Sequence, residues 1–467
     1  MKLTLINPPL CSLNGDPFGG IPSIPVGITY LAGYLREKGV DVGVVDAFGS
    51  APLKKTVIGK NAYYGLSLRQ ILSRVDTTIV GISVHSGVQE EFCLNLIKEL
   101  KKLGKTLLVG GAAPTFSYKK YINAGADYVV LGEGEDVAYR VLCAIENGDA
   151  ANDIPGLVGQ DFLNIERGFI KELDSIAYPA VDLLPLKNYW DLGYAHGPIT
   201  GRYMFLITSR GCPYDCNFCA APEMWKKKWR VRSVKDVVDE MEYHVKKFDI
   251  KDFHIQDDNF TFNPNRTKEF CREILSRGLK VNWKLPAGVK IETIDSESVK
   301  LMSESGCNYL AFSPESGSPR MLKLMNKPFN HNYGVRMVKE FSANGIKVQS
   351  CFVLGYPGET NEDLGLTKSY VRQLIKAGVD EVALYVMCPL PGANVPQVEN
   401  RAISFSPRWR SDYKKLNRVR QKLYIEFIVL KSIYHPLKML KSAWNVLTGR
   451  YELKIEMTLY RLWRTLF

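Results

Sequence analysis

Three cysteines sit on one short run, Ser209-Arg210-Gly211-Cys212-Pro213-Tyr214-Asp215-Cys216-Asn217-Phe218-Cys219. An iron–sulfur cubane normally takes four cysteine thiolates. Three thiolates spaced C-x3-C-x2-C hold three irons and leave the fourth corner open to a ligand from outside the protein. A zinc knuckle is the competing use of such thiols, but zinc needs a fourth ligand nearby. The closest other Cys or His residues are His196 and His244, so the spacing favours the cluster. Cys11, Cys93, Cys143, Cys271, Cys307, Cys351 and Cys388 are scattered, mostly amid apolar residues, and read as buried thiols. The histidines lack zinc-site spacing, and no Ser/His/Asp arrangement stands out.

The elements around this loop read as a β/α series from Arg202 to about Asn394. Strands are expected at Tyr203–Thr208, Asp252–Gln256, Asn282–Leu285, Tyr309–Phe312, Val348–Leu354 and Glu381–Val386. In barrels built this way the chemistry sits at the carboxyl ends of the strands. Those ends carry Gln256-Asp257-Asp258-Asn259-Phe260, Ser313-Pro314-Glu315-Ser316-Gly317-Ser318, Gly355-Tyr356-Pro357-Gly358-Glu359 and Met387-Cys388-Pro389. Trp225, Trp229, Tyr309 and Phe312 are candidates for lining a cavity, although core packing is the commoner role for such aromatics and is expected of most of them.

Residues 1–150 alternate apolar strands with amphipathic helices, the pattern of a doubly wound parallel sheet. Strands are expected at Lys2–Ile6, Val40–Val45, Thr78–Ser83, Thr106–Val109 and Tyr128–Leu131. Helices are expected at Gly27–Lys38, Gln89–Leu103, Tyr118–Ala124 and Glu135–Asn147. Ligands of such sheets bind beyond the strands' carboxyl ends. Residues 151–198 hold repeated prolines and no periodicity, and read as a connector.

The cysteine triplet and the ordered strand-end segments resemble the radical S-adenosylmethionine (SAM) superfamily. The resemblance implies a partial (β/α)6 barrel over residues 199–400. In it Cys212, Cys216 and Cys219 bind a [4Fe–4S] cluster whose open iron takes the amino and carboxylate groups of SAM. It also implies SAM contacts from Phe218, from Asp257 or Asp258 toward the amino group, and from Glu315 and Ser316 in an E-S-G-S segment. Gly355 and Pro357 of the G-x-P-G-E segment and Met387 then flank adenine. Pro314 departs from the glycine or small residue more usual there, and Met325-Asn326-Lys327 matches a common family run that a surface role explains equally well.

Asn7-Pro8-Pro9, the run Pro25 to Ala32, Val109-Gly110-Gly111 and Gly132-Glu133-Gly134-Glu135 are similar to the Rossmann-like (flavodoxin-like) cobalamin-binding domain that precedes many radical SAM modules. That implies cobalamin contacts from Pro8, Pro9, Ser83, His85, Ser86, Gly110, Gly111, Gly132 and Glu133. The D-x-H-x-x-G motif is absent, which implies base-off cobalamin with no histidine on cobalt. His85 reads as a polar loop residue.

The family resemblance implies methylation of an unactivated carbon in a small or lipid-like substrate, through a 5′-deoxyadenosyl radical and methylcobalamin. An anaerobic oxidative cyclase or rearrangement enzyme of the same two-domain type, like the magnesium-protoporphyrin ester cyclases, is the alternative. A methylthiotransferase would need second-cluster cysteines in the N-terminal domain and a C-terminal RNA-binding barrel, and neither pattern is present.

The net charge of the 467 residues is +12, and residues 401–467 hold fifteen Lys and Arg against four Asp and Glu. The charge therefore belongs to the tail, which argues against a nucleic-acid partner at the catalytic mouth. Arg418–Leu430 and Leu453–Leu466 read as amphipathic helices broken at His435-Pro436. Two uses remain open for this region: a helical cap over the barrel, or docking on an anionic membrane surface. A ferredoxin- or flavodoxin-type electron donor is also expected. Ten cysteines without a secretory signal suggest a cytoplasmic protein, membrane-associated if the tail docks.

Overall fold

The computed structural model describes residues 1–15, 21–395, 407–408 and 410–466, with side chains through Tyr460. Trp409, Phe467, the Trp463 side chain and the boundary expected near residue 401 lie outside the described residues. The chain divides into two compact units, Met1–Leu192 and a second beginning at Gly193.

The first unit is built on a six-stranded sheet of β1 (Lys2–Asn7), β2 (Asp41–Asp46), β3 (Ile79–Ser83), β4 (Thr106–Gly110), β5 (Tyr128–Val130) and β6 (Leu157–Gly159). Its order is β2-β1-β3-β4-β5-β6, parallel except for β6. This is the doubly wound order that places a ligand crevice beyond the strands' carboxyl edge. Successive side chains alternate between faces, so both faces need cover. Ile6, Val80, Ile82 and Val109 pack with Leu96, Ile97 and Leu100 of helix Glu90–Lys102. Leu3, Leu5 and Leu108 pack on the other face with Ile28 and Leu35 of helix Val26–Glu37 and Val141 and Leu142 of helix Glu135–Asn147.

The stretch 151–198 is not a plain connector: Leu157–Gly159 adds an antiparallel edge to β5, and Ala180 N–H donates to Thr29 O at 2.9 Å. Gly33 permits that passage, because a Cβ there would lie 2.2 Å from Tyr178 O. A small antiparallel sheet of Leu10–Leu13, Asn61–Tyr64 and Lys55–Ile58 was not expected from the sequence. Its hairpin turns through Gly59-Lys60, with Gly59 at φ 56°.

The second unit holds six parallel strands in sequential order: β7 (Tyr203–Leu206), β8 (Asp252–Ile255), β9 (Asn282–Val289), β10 (Cys307–Glu315), β11 (Lys347–Leu354) and β12 (Glu381–Val386). Each lies where the sequence placed a strand, giving the open β/α barrel. Helices Tyr413–Tyr434, Pro436–Thr448 and Lys454–Leu466 follow. The first covers the edge strand β12: the Leu384 N–H donates to Tyr424 Oη at 3.0 Å, and the Lys431 ammonium bonds Asp380 O. Covering an exposed edge blocks unwanted strand pairing.

Candidate cofactor site at the strand ends

The cysteine loop leaves β7 under tight control. Asp257, at the end of β8, accepts from the Thr208 N–H (2.7 Å), Thr208 Oγ1 (2.6 Å) and Ser209 Oγ (2.6 Å). Expected as a SAM contact, this buried carboxylate forms a clasp between strand end and loop. Arg266 reinforces it through Thr208 O and Arg232 O, both at 3.1 Å. Gly211 follows at φ 93°, where a Cβ would lie 2.0 Å from Lys228 O, so only glycine fits. Its N–H donates to Asp258 Oδ2 at 3.2 Å. Asp258 stays accessible yet sits deep among protein atoms, and that desolvation pushes its carboxyl up to about 6. Of the two expected carboxylates, Asp258 is the one left facing open space.

Cys212, Cys216 and Cys219 are all half-buried. The Cys219 N–H donates to Cys216 O at 3.1 Å, and Cys219 Sγ accepts from the Ala221 N–H at 3.4 Å. Burial pushes all three thiols up, Cys219 to about 12, so thiolate ligation here has to displace protons. Among the described residues, no three His, Cys, Asp or Glu side chains gather around a single ion position. A cubane makes no such demand, since each thiolate binds its own iron, and three thiols on one clasped loop fit that donor set.

Met325-Asn326-Lys327 turns out to brace the loop from the far side. The Asn217 N–H donates to Met325 O at 3.0 Å, Asn217 Nδ2 to Leu324 O at 2.8 Å, and Asn326 Nδ2 to Asp215 O at 2.7 Å. Lys327 Nζ reaches Glu315 Oε1 at 2.5 Å and lies 5.7 Å from the Phe218 ring centre. Burial alone would lower the Lys327 ammonium, but Glu315, Cys216 and Cys219 raise it. Glu315 itself is pushed up by burial, against the pull of Lys327. It also takes a left-handed backbone, φ 63°, which costs on the order of 1–3 kcal/mol and marks a position held by its surroundings.

Ser316, expected on SAM, is turned into the protein: its Oγ meets Thr367 Oγ1 at 3.1 Å and accepts from the Ser318 N–H at 3.1 Å. Phe218 and Met387 do come together, in an apolar cluster with Met321, Met325, Val353 and Tyr356. Gly355 adjoins it at φ 77°. Arg410 stitches this rim, bonding Met387 O at 2.9 Å and Gly355 O at 2.8 Å. Gly355, Pro357, Glu359, Arg410 and Lys415 line a cavity of about 190 Å³. Of the four aromatics, Tyr309 and Phe312 are fully buried, and Trp229 Nε1 donates to Asn259 O at 3.2 Å.

Deeper among the strands, β/α barrels usually pack branched apolar side chains. Here Asp252 and Lys284 form a fully buried ion pair, closed by the Thr200 N–H and Oγ1 on Asp252 Oδ2 at 2.7 and 2.8 Å. Lys454, from the last helix, bonds Pro286 O at 3.1 Å and Gln349 Oε1 at 3.2 Å, and burial lowers its ammonium. Neither lysine was anticipated. Both sit far in sequence from their partners, and an isolated Lys carries no periodic signal.

At the carboxyl edge of the first unit, Pro8 and Pro9 are buried after β1, Ser83 and Ser86 are half-buried, and His85 is exposed. Gly111 has φ 114°, and a Cβ there would lie 2.4 Å from Val84 O. Its glycine therefore answers to strand packing rather than to ligand approach. Gly110 is not so constrained, its nearest neighbour being Val130 Cβ at 3.6 Å. Gly132 turns at φ 82° and donates to Thr115 Oγ1 at 2.9 Å. Glu133 is buried and accepts the Ile170 N–H at 2.8 Å, so it anchors the 151–192 segment and is not an open ligand. The edge that remains, small side chains beside an exposed imidazole, suits a bulky ring held by shape.

Comparison with known proteins agrees with this division. The B12 binding domain profile matches residues 20–142, and the radical SAM superfamily profile matches residues 206–371. An uncharacterized methyltransferase of Pyrococcus horikoshii is 28% identical over 403 residues, 85% of this chain and 82% of that protein. Cytidylyl-2-hydroxyethylphosphonate methyltransferase of Streptomyces wedmorensis is 28% identical over 440 residues, 84% and 80% of the two chains. The anaerobic magnesium-protoporphyrin IX monomethyl ester cyclase of Rubrivivax gelatinosus is also 28% identical, over 80% of this chain and 66% of its own. Among solved structures, the radical SAM methyltransferase TsrM from Kitasatospora setae, with cobalamin and a [4Fe–4S] cluster bound, superposes with TM-score 0.67 at 18% identity, covering 84% of this chain and 73% of that one. The chain thus carries a B12 binding domain followed by a radical SAM domain.

Proposed function

We propose that this enzyme is a cobalamin-dependent radical SAM C-methyltransferase acting on a small molecule. The observation that carries the reading is the clasped cysteine loop, faced by Asp258 on one side and by the Glu315–Lys327 pair on the other. Bound together, a [4Fe–4S] cluster, SAM and cobalamin supply a 5′-deoxyadenosyl radical and a transferable methyl group. Cys212, Cys216 and Cys219 would hold the cluster. Asp258, whose carboxyl is accessible, would receive the SAM amino group. Lys327, released from Glu315 or shared with it, would face the SAM carboxylate. Phe218, Gly355, Pro357 and Met387 would enclose adenine and keep water from the radical. In the first unit Pro8, Pro9, Ser83, His85, Ser86, Gly110, Gly111 and Gly132 would border the corrin. A ferredoxin- or flavodoxin-type protein would supply electrons.

The similarity to the ester cyclase supports a second reading, oxidative cyclisation or rearrangement on the same scaffold. Anaerobic reconstitution with iron, sulfide, cobalamin and SAM, followed by mass spectrometry of extracts from cells with and without the gene, separates the two. A product heavier by one CH2 supports methylation, and a product rearranged or oxidised without added carbon supports cyclisation. No 5′-deoxyadenosine under strong reductant would reject both.

A further inference from the structure

Nine large apolar side chains between Ile425 and Leu447 stand in solvent. The largest exposures are Ile425 63%, Ile433 65%, Leu437 79%, Leu440 67%, Trp444 64% and Leu447 81%. Scattered exposed leucines are ordinary, but a contiguous set marks an interaction face. Leu437, Leu440, Trp444 and Leu447 are spaced three, four and three residues apart, so they form one stripe of helix Pro436–Thr448. The opposite side of these helices is already in use: Leu423, Phe427, Lys431 and Asn445 are buried. The stripe therefore has no partner within the described chain.

We propose that this face seats the enzyme on an anionic lipid surface. Lys414, Lys415, Arg418 and Lys422 are exposed on the helix that leads into the stripe, whereas Arg420 and Lys431 are buried and take no part. That charge would oppose itself across a two-fold interface between copies, whereas anionic headgroups neutralise it. No described helix is long and apolar enough to cross a bilayer. The stripe lies in the interface plane, apolar side chains among the acyl chains and cations at the headgroups. This docking surface stands apart from the cofactor chemistry and survives if that reading fails.

Sedimentation of the full chain with vesicles tests it. The protein should pellet with vesicles of phosphatidylglycerol and phosphatidylcholine, and roughly tenfold less with phosphatidylcholine alone or in about 0.5 M salt. The double variant Leu440→Asp/Trp444→Asp should keep its circular dichroism and melting midpoint, because both side chains are exposed, while pelleting falls roughly tenfold. If that variant misfolds, Trp444→Phe gives the answer: the blue shift of tryptophan emission on vesicle addition should shrink relative to the parent chain. Wild-type protein left in the supernatant, equal pelleting by the double variant, or an equal blue shift overturns the proposal. So does a dimer that the double variant converts to monomer while vesicles bind neither form, since the stripe would then be a self-interface.

Discussion

At the carboxyl ends of β7–β12 the side chains are charged and tied to one another. At the ends of β1, β3 and β4 they are mostly small, and the one imidazole is exposed, while Asp46 at the end of β2 and Glu133 past β5 are buried in hydrogen bonds within their own unit. Asp257, Asp258, Glu315 and Lys327 each bond a loop or a neighbouring element, while Gly110, Ser83 and Ser86 offer surface with little charge. The same architectural rule, ligand beyond the strand ends, is thus met in two ways. One edge presents charged groups, and the other presents small side chains. The first should be sensitive to single charges, the second to single methyl groups.

The sharpest way to separate the edges is Cys216→Ala. Cluster absorbance should vanish and 5′-deoxyadenosine release should fall by roughly 100-fold or more, while the reconstituted chain keeps its cobalamin spectrum. Simultaneous loss of cobalamin would break the distinction. Next, Lys327→Met strands the Glu315 carboxylate, and removing one member of a buried pair costs about 3 kcal/mol. Denaturant unfolding of the full chain should show the loss, with Lys327→Arg recovering most of it. On the other edge, Gly111→Ala forces a Cβ against Val84 O at an unfavourable φ. A cost of about 2 kcal/mol is expected, with cobalamin retention reduced and SAM cleavage preserved.

The smallest effect concerns pH. Burial pushes the Glu359 carboxyl from 4.5 up to about 7, against the Gly355 N–H it accepts at 2.5 Å. The folded chain then holds this proton more tightly than the unfolded chain. Stability should fall as pH rises from about 4.5 to about 7 and level off above. Glu359→Gln should therefore be more stable than the parent at pH 8, by about 1–2 kcal/mol once the solvent screening of this partly exposed carboxylate is discounted from the full shift, and indistinguishable from it at pH 4. Equal stability at both pH values would remove Glu359 from the list of charge-sensitive positions.

The parallel strands of both sheets were legible because a buried parallel strand must be a short apolar run, and such runs recur between helical patterns here; the antiparallel edge Leu157–Gly159, hidden in a proline-rich stretch, was not. The antiparallel set Leu10–Leu13, Lys55–Ile58 and Asn61–Tyr64 escaped because short, partly exposed strands with no sustained alternation look like loop. Motif spacing located the cysteine loop, yet it could not say which way carboxylates point. Asp257 and Asp258 are adjacent, and the backbone sends one into a clasp and leaves the other open. The internal hydrogen bonds of Ser316 and Glu133 escaped for the same reason, their partners Thr367 and Ile170 being remote in sequence. Lys327 carried a family signal, but its role depends on Glu315 being brought beside it.

The stitch made by Arg410 across Met387 O and Gly355 O, with Lys431 on Asp380 and Lys454 between Pro286 and Gln349, changes what the basic tail is. A protein trimmed at residue 400 would not be the same catalyst minus an accessory. It would expose the hydrogen-bonding groups of β12, slacken the rim at Gly355 and Met387 and lose an ammonium from among the strands. Anyone seeking to separate attachment from catalysis must therefore alter the outward residues of these helices one at a time and leave the chain its full length.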